Sequence, residues 1–82
     1  MHNFFDKQMK VTFQYYTESE DGCDTFRFVS EQKAMDKFCE LSEIIRDQFS
    51  HSPEAEVVDE PDFFGIIDHS TGEWAKVFIT NI

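Results

Sequence analysis

The chain has 82 residues, of which 40% are hydrophobic and ten are phenylalanine, and its formal net charge is −10. This length fits a single domain over residues 1–82, and the aromatic content argues against a disordered chain. Seventeen acidic residues against seven basic ones exclude ordinary nucleic-acid binding and attachment to anionic membranes, because both need cations on the protein.

The first third of the chain predicts a β-hairpin. Residues 8–18 alternate between apolar and polar positions, as a strand with one buried face does. Asp21 and Gly22 are typical of a tight turn that needs a positive φ angle. Residues 25–29 then form the returning strand, with two phenylalanines on one face.

A helix is predicted from residue 31 to about residue 49. Ser30 precedes it as an N-cap, and Pro53 follows it in a segment that ends helical geometry. Within these limits the apolar residues repeat at helical spacing, which indicates one face packed on a core. That stripe consists of Ala34, Phe38, Leu41, Ile45 and Phe49.

The second half of the chain predicts two more strands. Residues 54–62 are so acidic that we expect a loop, with at most a short extended piece at Val57 and Val58. Residues 63–67 are apolar on both faces, which is typical of a central strand, and residues 74–80 alternate as a half-buried strand does.

The resulting order is ββαββ, and we expect an α+β fold. A four-stranded, mainly antiparallel sheet with one helix packed on one face buries both apolar surfaces economically. We expect the protein in the cytoplasm for three reasons. The two cysteines lack CxxC spacing, and the first ten residues contain no apolar stretch long enough for a signal peptide. No apolar run is long enough to span a membrane.

The outer face of the predicted helix carries a regular row of carboxylates. They are spaced by 4, 3 and 4 residues, so they fall within a sector about 60° wide, opposite the apolar stripe, and extend about 16 Å at about 1.5 Å per residue. A regular line of negative charge resembles the phosphates of a nucleic-acid backbone; the alternative is an ordinary solvated helix face. This acidic helix row consists of Asp36, Glu40, Glu43 and Asp47.

Two further acidic patches accompany the row. One is the turn with Glu18, Glu20 and Asp21. The other is the acidic segment, residues 54–62, which ends beside Phe63 and Phe64. Three patches with few compensating bases exceed what solubility alone requires, although solubility remains the simplest alternative interpretation. The carboxylates of the acidic segment are Glu54, Glu56, Asp59, Glu60 and Asp62.

No motif in the sequence indicates catalysis, a cofactor or a metal. Asp68, His69 and Ser70 are adjacent, whereas a hydrolase triad brings side chains together from separate segments, so we interpret them as a turn with a hydrogen-bonding Asp. The three histidines lack metal-site spacing, and residues 54–62 lack the ligand pattern of an EF-hand. We therefore expect a non-enzymatic protein.

Two aromatic residues are candidate partner contacts. Tyr16 and Trp74 fall on the strand faces opposite the expected core residues, and both residue types are common interface anchors. Whether they lie in an interface or in a second core stays open at this stage. For Phe63 and Phe64 the core is the favoured place.

These features lead to one functional hypothesis: a small inhibitor that binds a basic, nucleic-acid-handling protein by charge mimicry. The chain does not carry the motif of a particular family. In size, charge and absence of catalytic motifs it is similar to small acidic phage-encoded inhibitors, such as anti-restriction and anti-CRISPR proteins. Some of those proteins imitate nucleic acid, and the similarity implies a basic protein as the partner.

Two alternatives remain open. The first is an antitoxin or immunity protein that masks the basic active site of a nuclease toxin. The second is a structural accessory protein that forms a homo-oligomer, such as a homodimer, through its sheet face. Salt distinguishes them, because binding to a basic partner weakens as salt rises and apolar self-association does not.

Overall fold

The computed structural model describes residues 8–81, which fold into one five-stranded sheet and one helix. Residues 1–7 and residue 82 lie outside the described residues. The prediction that the first ten residues contain no signal peptide therefore falls mostly on residues that are not described. The elements in chain order are β1 (Met9–Tyr16), β2 (Asp21–Phe28), α1 (Glu31–Gln48), β3 (Ala55–Glu60), β4 (Phe63–Asp68) and β5 (Trp74–Asn81).

Every neighbouring pair of strands is antiparallel, in the spatial order β2-β1-β5-β4-β3. The predicted α+β class is therefore confirmed. The predicted number of four strands is wrong, because most of the acidic segment forms a fifth strand, β3, instead of a loop.

Strand β3 forms because its pairing with β4 outweighs its acidic composition. Val57 pairs with Ile66 and Glu60 with Phe63, and Pro61 and Asp62 make the short connection between the two strands. β3 lies at the edge of the sheet, and its last five residues are all exposed. An edge strand keeps its charged side chains in water, and charges there also discourage pairing with other chains.

Strand β2 corrects a second expectation, because it begins at Asp21 rather than near residue 25. The hairpin turn is made by residues 17–20, where the Thr17 amide and hydroxyl both donate to the Glu20 carbonyl oxygen at 2.7 and 2.9 Å. Gly22 lies within the strand with an ordinary φ angle. A Cβ there would come within 2.6 Å of the Tyr15 hydroxyl oxygen, so this glycine makes room for the tyrosine ring.

The helix packs on one face of the sheet and closes the core. Ser30 caps it, its hydroxyl oxygen accepting from the Lys33 amide at 3.3 Å, and the helix ends at Gln48, one residue before the predicted end. All five residues of the predicted apolar stripe are buried. They pack with the inward side chains of the central strands, among them Val11, Phe64 and Val77.

The opposite face of the sheet points away from α1, and no other helix or strand within residues 8–81 packs on it. We call it the open face. Strand alternation and register place on its three central strands, β1, β5 and β4, the side chains of Lys10, Thr12, Gln14, Tyr16, Trp74, Lys76, Phe78, Thr80, Phe63 and Ile67. In this part of the chain no helix is long and apolar enough to cross a membrane.

Candidate functional site: an acidic outer surface

The acidic helix row lies on the solvent side of α1, and all four of its residues are exposed. Glu40 pairs with Lys37, whose ammonium nitrogen lies 3.4 Å from a carboxylate oxygen. Asp36 accepts a hydrogen bond from the Gln32 side chain at 2.9 Å. No Lys, Arg or His among the described residues lies within ion-pair distance of Asp36, Glu43 or Asp47, so the row keeps most of its negative charge.

The acidic segment adds a second line of exposed carboxylates along the edge strand β3. Successive side chains alternate across the sheet, so Asp59 lies on the helix side while Glu56 and Glu60 lie on the open face. Glu54 and Asp62 flank the strand and are also exposed. Every acidic residue that the sequence assigned to this segment therefore faces water.

Arg46 connects these two acidic surfaces. Its guanidinium nitrogen lies 2.8 Å from a carboxylate oxygen of Asp59, and the guanidinium carbon lies 4.4 Å from the centre of the Phe64 ring. The contact ties the C-terminal half of α1 to the edge strand, next to Asp47 of the row. Sequence periodicity could not have revealed it, because the contact needs β3 to be a strand beside the helix.

The third predicted patch, at the β1–β2 turn, is ordered by backbone contacts. Glu18 and Glu20 are exposed, and the Glu18 amide donates to the Glu73 carboxylate at 3.1 Å. In all, fourteen of the sixteen described acidic residues are exposed, and Asp68 is the buried exception. Three ion pairs occur within residues 8–81, one of which involves His69 and Glu56 at 2.7 Å.

The two candidate aromatic contacts lie side by side on the open face. Tyr16 and Trp74 pair across β1 and β5, and Tyr16 is 46% exposed. The Lys76 ammonium lies 5.3 Å from the centre of the Trp74 ring. Tyr16 and Trp74 therefore lie on the side of the sheet away from α1, on a surface separate from the acidic helix row.

The two adjacent phenylalanines of β4 separate between the two faces. Phe64 is 1% exposed and belongs to the core, as expected. Phe63 was also expected in the core, but it lies half-buried on the open face, stacked on Phe78 with ring centres 6.1 Å apart. Alternation along β4 explains the difference, since neighbouring strand residues point to opposite faces.

Asp68, His69 and Ser70 form a turn, as predicted. One Asp68 carboxylate oxygen accepts from the Ser70 amide at 2.9 Å and from the Ser70 hydroxyl at 2.6 Å, while His69 is directed to Glu56. Hydrogen bonds from the Ser70 and Ser52 side chains and from the Ser70 backbone lower the pKa of Asp68 below its ordinary value. The arrangement stabilises a turn and does not assemble a nucleophile with a base.

The described residues contain neither a metal-binding group nor paired cysteines. Residues 8–81 contain no group of three or more His, Cys, Asp and Glu side chains arranged to hold a metal ion. Cys23 and Cys39 are free and exposed. Comparison with known proteins gives no relative: no family model matches the chain, and neither a curated protein nor a solved structure is significantly similar to it.

Proposed function

We propose that this protein is a non-enzymatic inhibitor that binds a basic, nucleic-acid-handling protein through its acidic outer surface. The observation that carries the proposal is the acidic helix row, a rigid line of exposed carboxylates of which only Glu40 has a cation at ion-pair distance within the described chain. Neighbouring members lie about 5–6 Å apart at their Cβ atoms, a regular spacing comparable to that of backbone phosphates.

The helix supports such mimicry because it fixes the charges before binding. A row on a packed helix keeps its spacing, whereas carboxylates on a loop would lose conformational entropy when they bind. The core stripe on the opposite side holds α1 to the sheet, and Arg46 contacts Asp59 of the edge strand. The partner would therefore meet a preformed acidic surface.

The rest of the molecule supports fast encounter with a basic partner. With a net charge of −10, the protein carries a field of one sign, which steers an oppositely charged surface and raises the association rate. Phage anti-defence inhibitors, and antitoxins or immunity proteins that mask a nuclease, would use the same physics with different partners.

The test is capture of partners from a cell lysate with tagged protein, first at low salt and then at high salt. We expect a basic nucleic-acid-handling protein to be retained at low salt and released at high salt, because the contacts are exposed charges. The same capture is made with the double variant Glu40→Lys/Glu43→Lys. Its affinity should fall about a hundredfold at low salt, because two attractions become repulsions.

A matched control separates the row from net charge. Glu18→Lys/Glu20→Lys changes the charge by the same amount on the β1–β2 turn and should weaken binding much less than Glu40→Lys/Glu43→Lys does. The free energies of unfolding of both double variants should lie within about 1 kcal/mol of the wild-type value, because exposed charge pairs contribute little to stability. Equal loss of binding in the two variants would mean that net charge, not the row, attracts the partner, and unchanged binding in both would refute the proposal.

A further inference from the structure

The open face has the composition of an interface rather than of an ordinary solvated surface. Its central strands carry Trp74, Phe78, Phe63 and Ile67, none of which is covered by α1. A shallow groove of about 310 Å³ lies among Trp74, Phe63 and Ile67, and Gly65 also lines it. Phe63, Trp74 and Phe78 are half-buried and Ile67 is 36% exposed, so these contiguous apolar side chains are partly open to water, as those of a contact site are.

Charge distinguishes this face from the rest of the molecule. Of the six described Lys and Arg residues, three lie on the open face, which is half of the described cations on about a quarter of the described surface positions. Three carboxylates lie there too, at Asp21 on one edge strand and at Glu56 and Glu60 on the other. The three cations are Lys10, Arg27 and Lys76. The open face is thus electrically balanced, whereas the helix side and the loops carry the excess of negative charge.

We propose that the open face binds a second copy of this chain, so that the protein forms a twofold dimer of sheet packed on sheet. Two molecules that each carry −10 repel one another when their helix sides or edge strands meet. The balanced face is where two copies approach without net repulsion. A basic partner would gain nothing there from charge, so this proposal is independent of the function proposed for the acidic helix row.

The register of the strands makes the β2 edge of the face complementary to itself. Arg27 and Asp21 lie at opposite ends of the open-face side of β2, beside Lys10 and Tyr16 respectively. A twofold axis in the interface, perpendicular to the strands, exchanges the two ends of each strand. It brings Arg27 opposite Asp21 of the second copy, and Asp21 opposite Arg27 of the second copy, as an isologous interface requires.

The same axis fits the apolar centre of the face. Phe63 and Gly65 are two positions apart on β4, on the same side of the sheet. Exchange of the strand ends places Phe63 of each copy opposite Gly65 of the other. A Cβ at Gly65 would lie 3.1 Å from Cε1 of Phe63 in its own chain, so each Phe63 ring leans towards the axis and the two rings meet there. Face-to-face sheets pack about 10 Å apart, which suits rings and aliphatic side chains of this size.

The face is also large enough for a specific contact. Three strands about 26 Å long and two about 20 Å long, spaced about 4.8 Å apart, cover about 570 Å² per copy. Two copies therefore bury about 1,100 Å², just above the roughly 1,000 Å² that a specific interface should exceed. We therefore expect a reversible dimer with a dissociation constant in the micromolar range. In it, both acidic helix rows remain on the outside.

The test is the mass of the full chain by sedimentation equilibrium over a concentration series from micromolar to near-millimolar. We expect the mass to rise from one chain to two chains, and we expect the dissociation constant to hold steady or fall when salt is raised, because salt screens the repulsion between the two acidic molecules. A constant mass of one chain over the whole series would overturn the proposal.

Two matched variants locate the contact. Ile67 is 36% exposed on the open face and Ile44 is 49% exposed on α1, so Ile67→Glu and Ile44→Glu make the same chemical change on opposite sides. Ile67→Glu should raise the dimer dissociation constant at least about tenfold, because it buries an unpaired charge, while Ile44→Glu should change it less than about twofold. The reverse ranking would contradict the proposal. Lys76→Glu serves as a second open-face variant if Ile67→Glu fails to fold.

A charge exchange tests the twofold arrangement itself. Arg27→Asp and Asp21→Arg should each weaken the dimer, because each places like charges opposite one another. The double variant Arg27→Asp/Asp21→Arg restores opposite charges and should return the dissociation constant to within about threefold of the wild type. If the double variant dimerises no better than the single ones, the proposed axis is wrong.

Discussion

The acidic helix row and the open face lie on opposite sides of the same sheet, and they suit opposite kinds of contact. The row presents exposed carboxylates on a rigid helix, and the open face presents aromatic and aliphatic side chains with balanced charges. Contacts that the row made with a basic partner would weaken as salt rises, whereas apolar contacts of the open face would not. The comparison shows that net charge alone does not indicate how a protein binds, because the distribution of charge over the surface decides which face suits which partner.

The first prediction uses β4, where two adjacent phenylalanines lie on opposite sides of the sheet, Phe64 in the core under α1 and Phe63 on the open face. Phe64→Ala should lower the free energy of unfolding by about 3–5 kcal/mol, because Phe64 is 1% exposed and its loss leaves a cavity under α1. Phe63→Ala should lower it by only about 1–2 kcal/mol, since Phe63 is half-buried on the open face. Urea unfolding at one low protein concentration measures both values.

Self-association should reverse that ranking. Phe63→Ala should weaken the dimer, while Phe64→Ala, under conditions in which it is folded, should leave the dimer intact. Equal losses of stability for the two variants would mean that the open face is as well buried as the core, and the distinction between the two regions would fail.

The second prediction breaks the connection between the acidic helix row and the edge strand. The Arg46 and Asp59 side chains are about half exposed, so their ion pair is screened by water and contributes little. Arg46→Ala should lower the free energy of unfolding by about 1 kcal/mol, because it also removes the contact with Phe64. Asp59→Ala should cost less, since it leaves that contact in place.

A double-mutant cycle isolates the pair. Arg46→Ala combined with Asp59→Ala should give a coupling free energy of about 0.2–1 kcal/mol in urea unfolding. A coupling of zero would show that the two side chains do not hold β3 to α1, and the two acidic surfaces would then have to be treated as separate.

The third and smallest prediction concerns Asp68, the buried carboxylate that belongs to neither region. Because hydrogen bonds from Ser70 and Ser52 lower its pKa in the folded protein, its ionised form stabilises the fold above its unfolded pKa, near 3.8, and this contribution is lost as pH falls through the lower folded value. Asp68→Asn should therefore be less stable than the wild type at neutral pH.

The difference in stability between the wild type and Asp68→Asn should disappear in acid. Thermal unfolding measured from neutral pH to well below 3.8 should give two stability curves that converge. Ser70→Ala, which removes one of the hydrogen bonds to Asp68, should show part of the same effect. Curves that stay parallel through acid would mean that the hydrogen bonds do not favour the ionised form.

Much of the fold followed from periodicity in the sequence. The helix with its apolar stripe, and the strands β1 and β5, were predictable because each buries one regular face against a core. The fifth strand was not, since β3 is held by its pairing with β4, which is a tertiary effect that local composition opposes. Gly22 was misassigned because the sequence cannot show that a ring packs over a glycine.

The acidic residues themselves could be found from sequence, since helical spacing alone places the row on the solvent side. The sequence could not show that the row lies near β3. It also could not place Phe63, because its position depends on the register between β4 and β5. The balanced charge of the open face emerges only when five strands are aligned, because its cations and carboxylates come from four different strands.

Competition for the captured partner is the most direct test of charge mimicry. The partner is bound to labelled nucleic acid at low salt, and the protein is added in increasing amounts, in parallel with the Glu40→Lys/Glu43→Lys variant. Mimicry predicts that the wild type displaces the nucleic acid completely and that the variant does so only at about a hundredfold higher concentration. A complex in which partner, nucleic acid and protein are held together would contradict it, because the acidic helix row would then occupy a different surface.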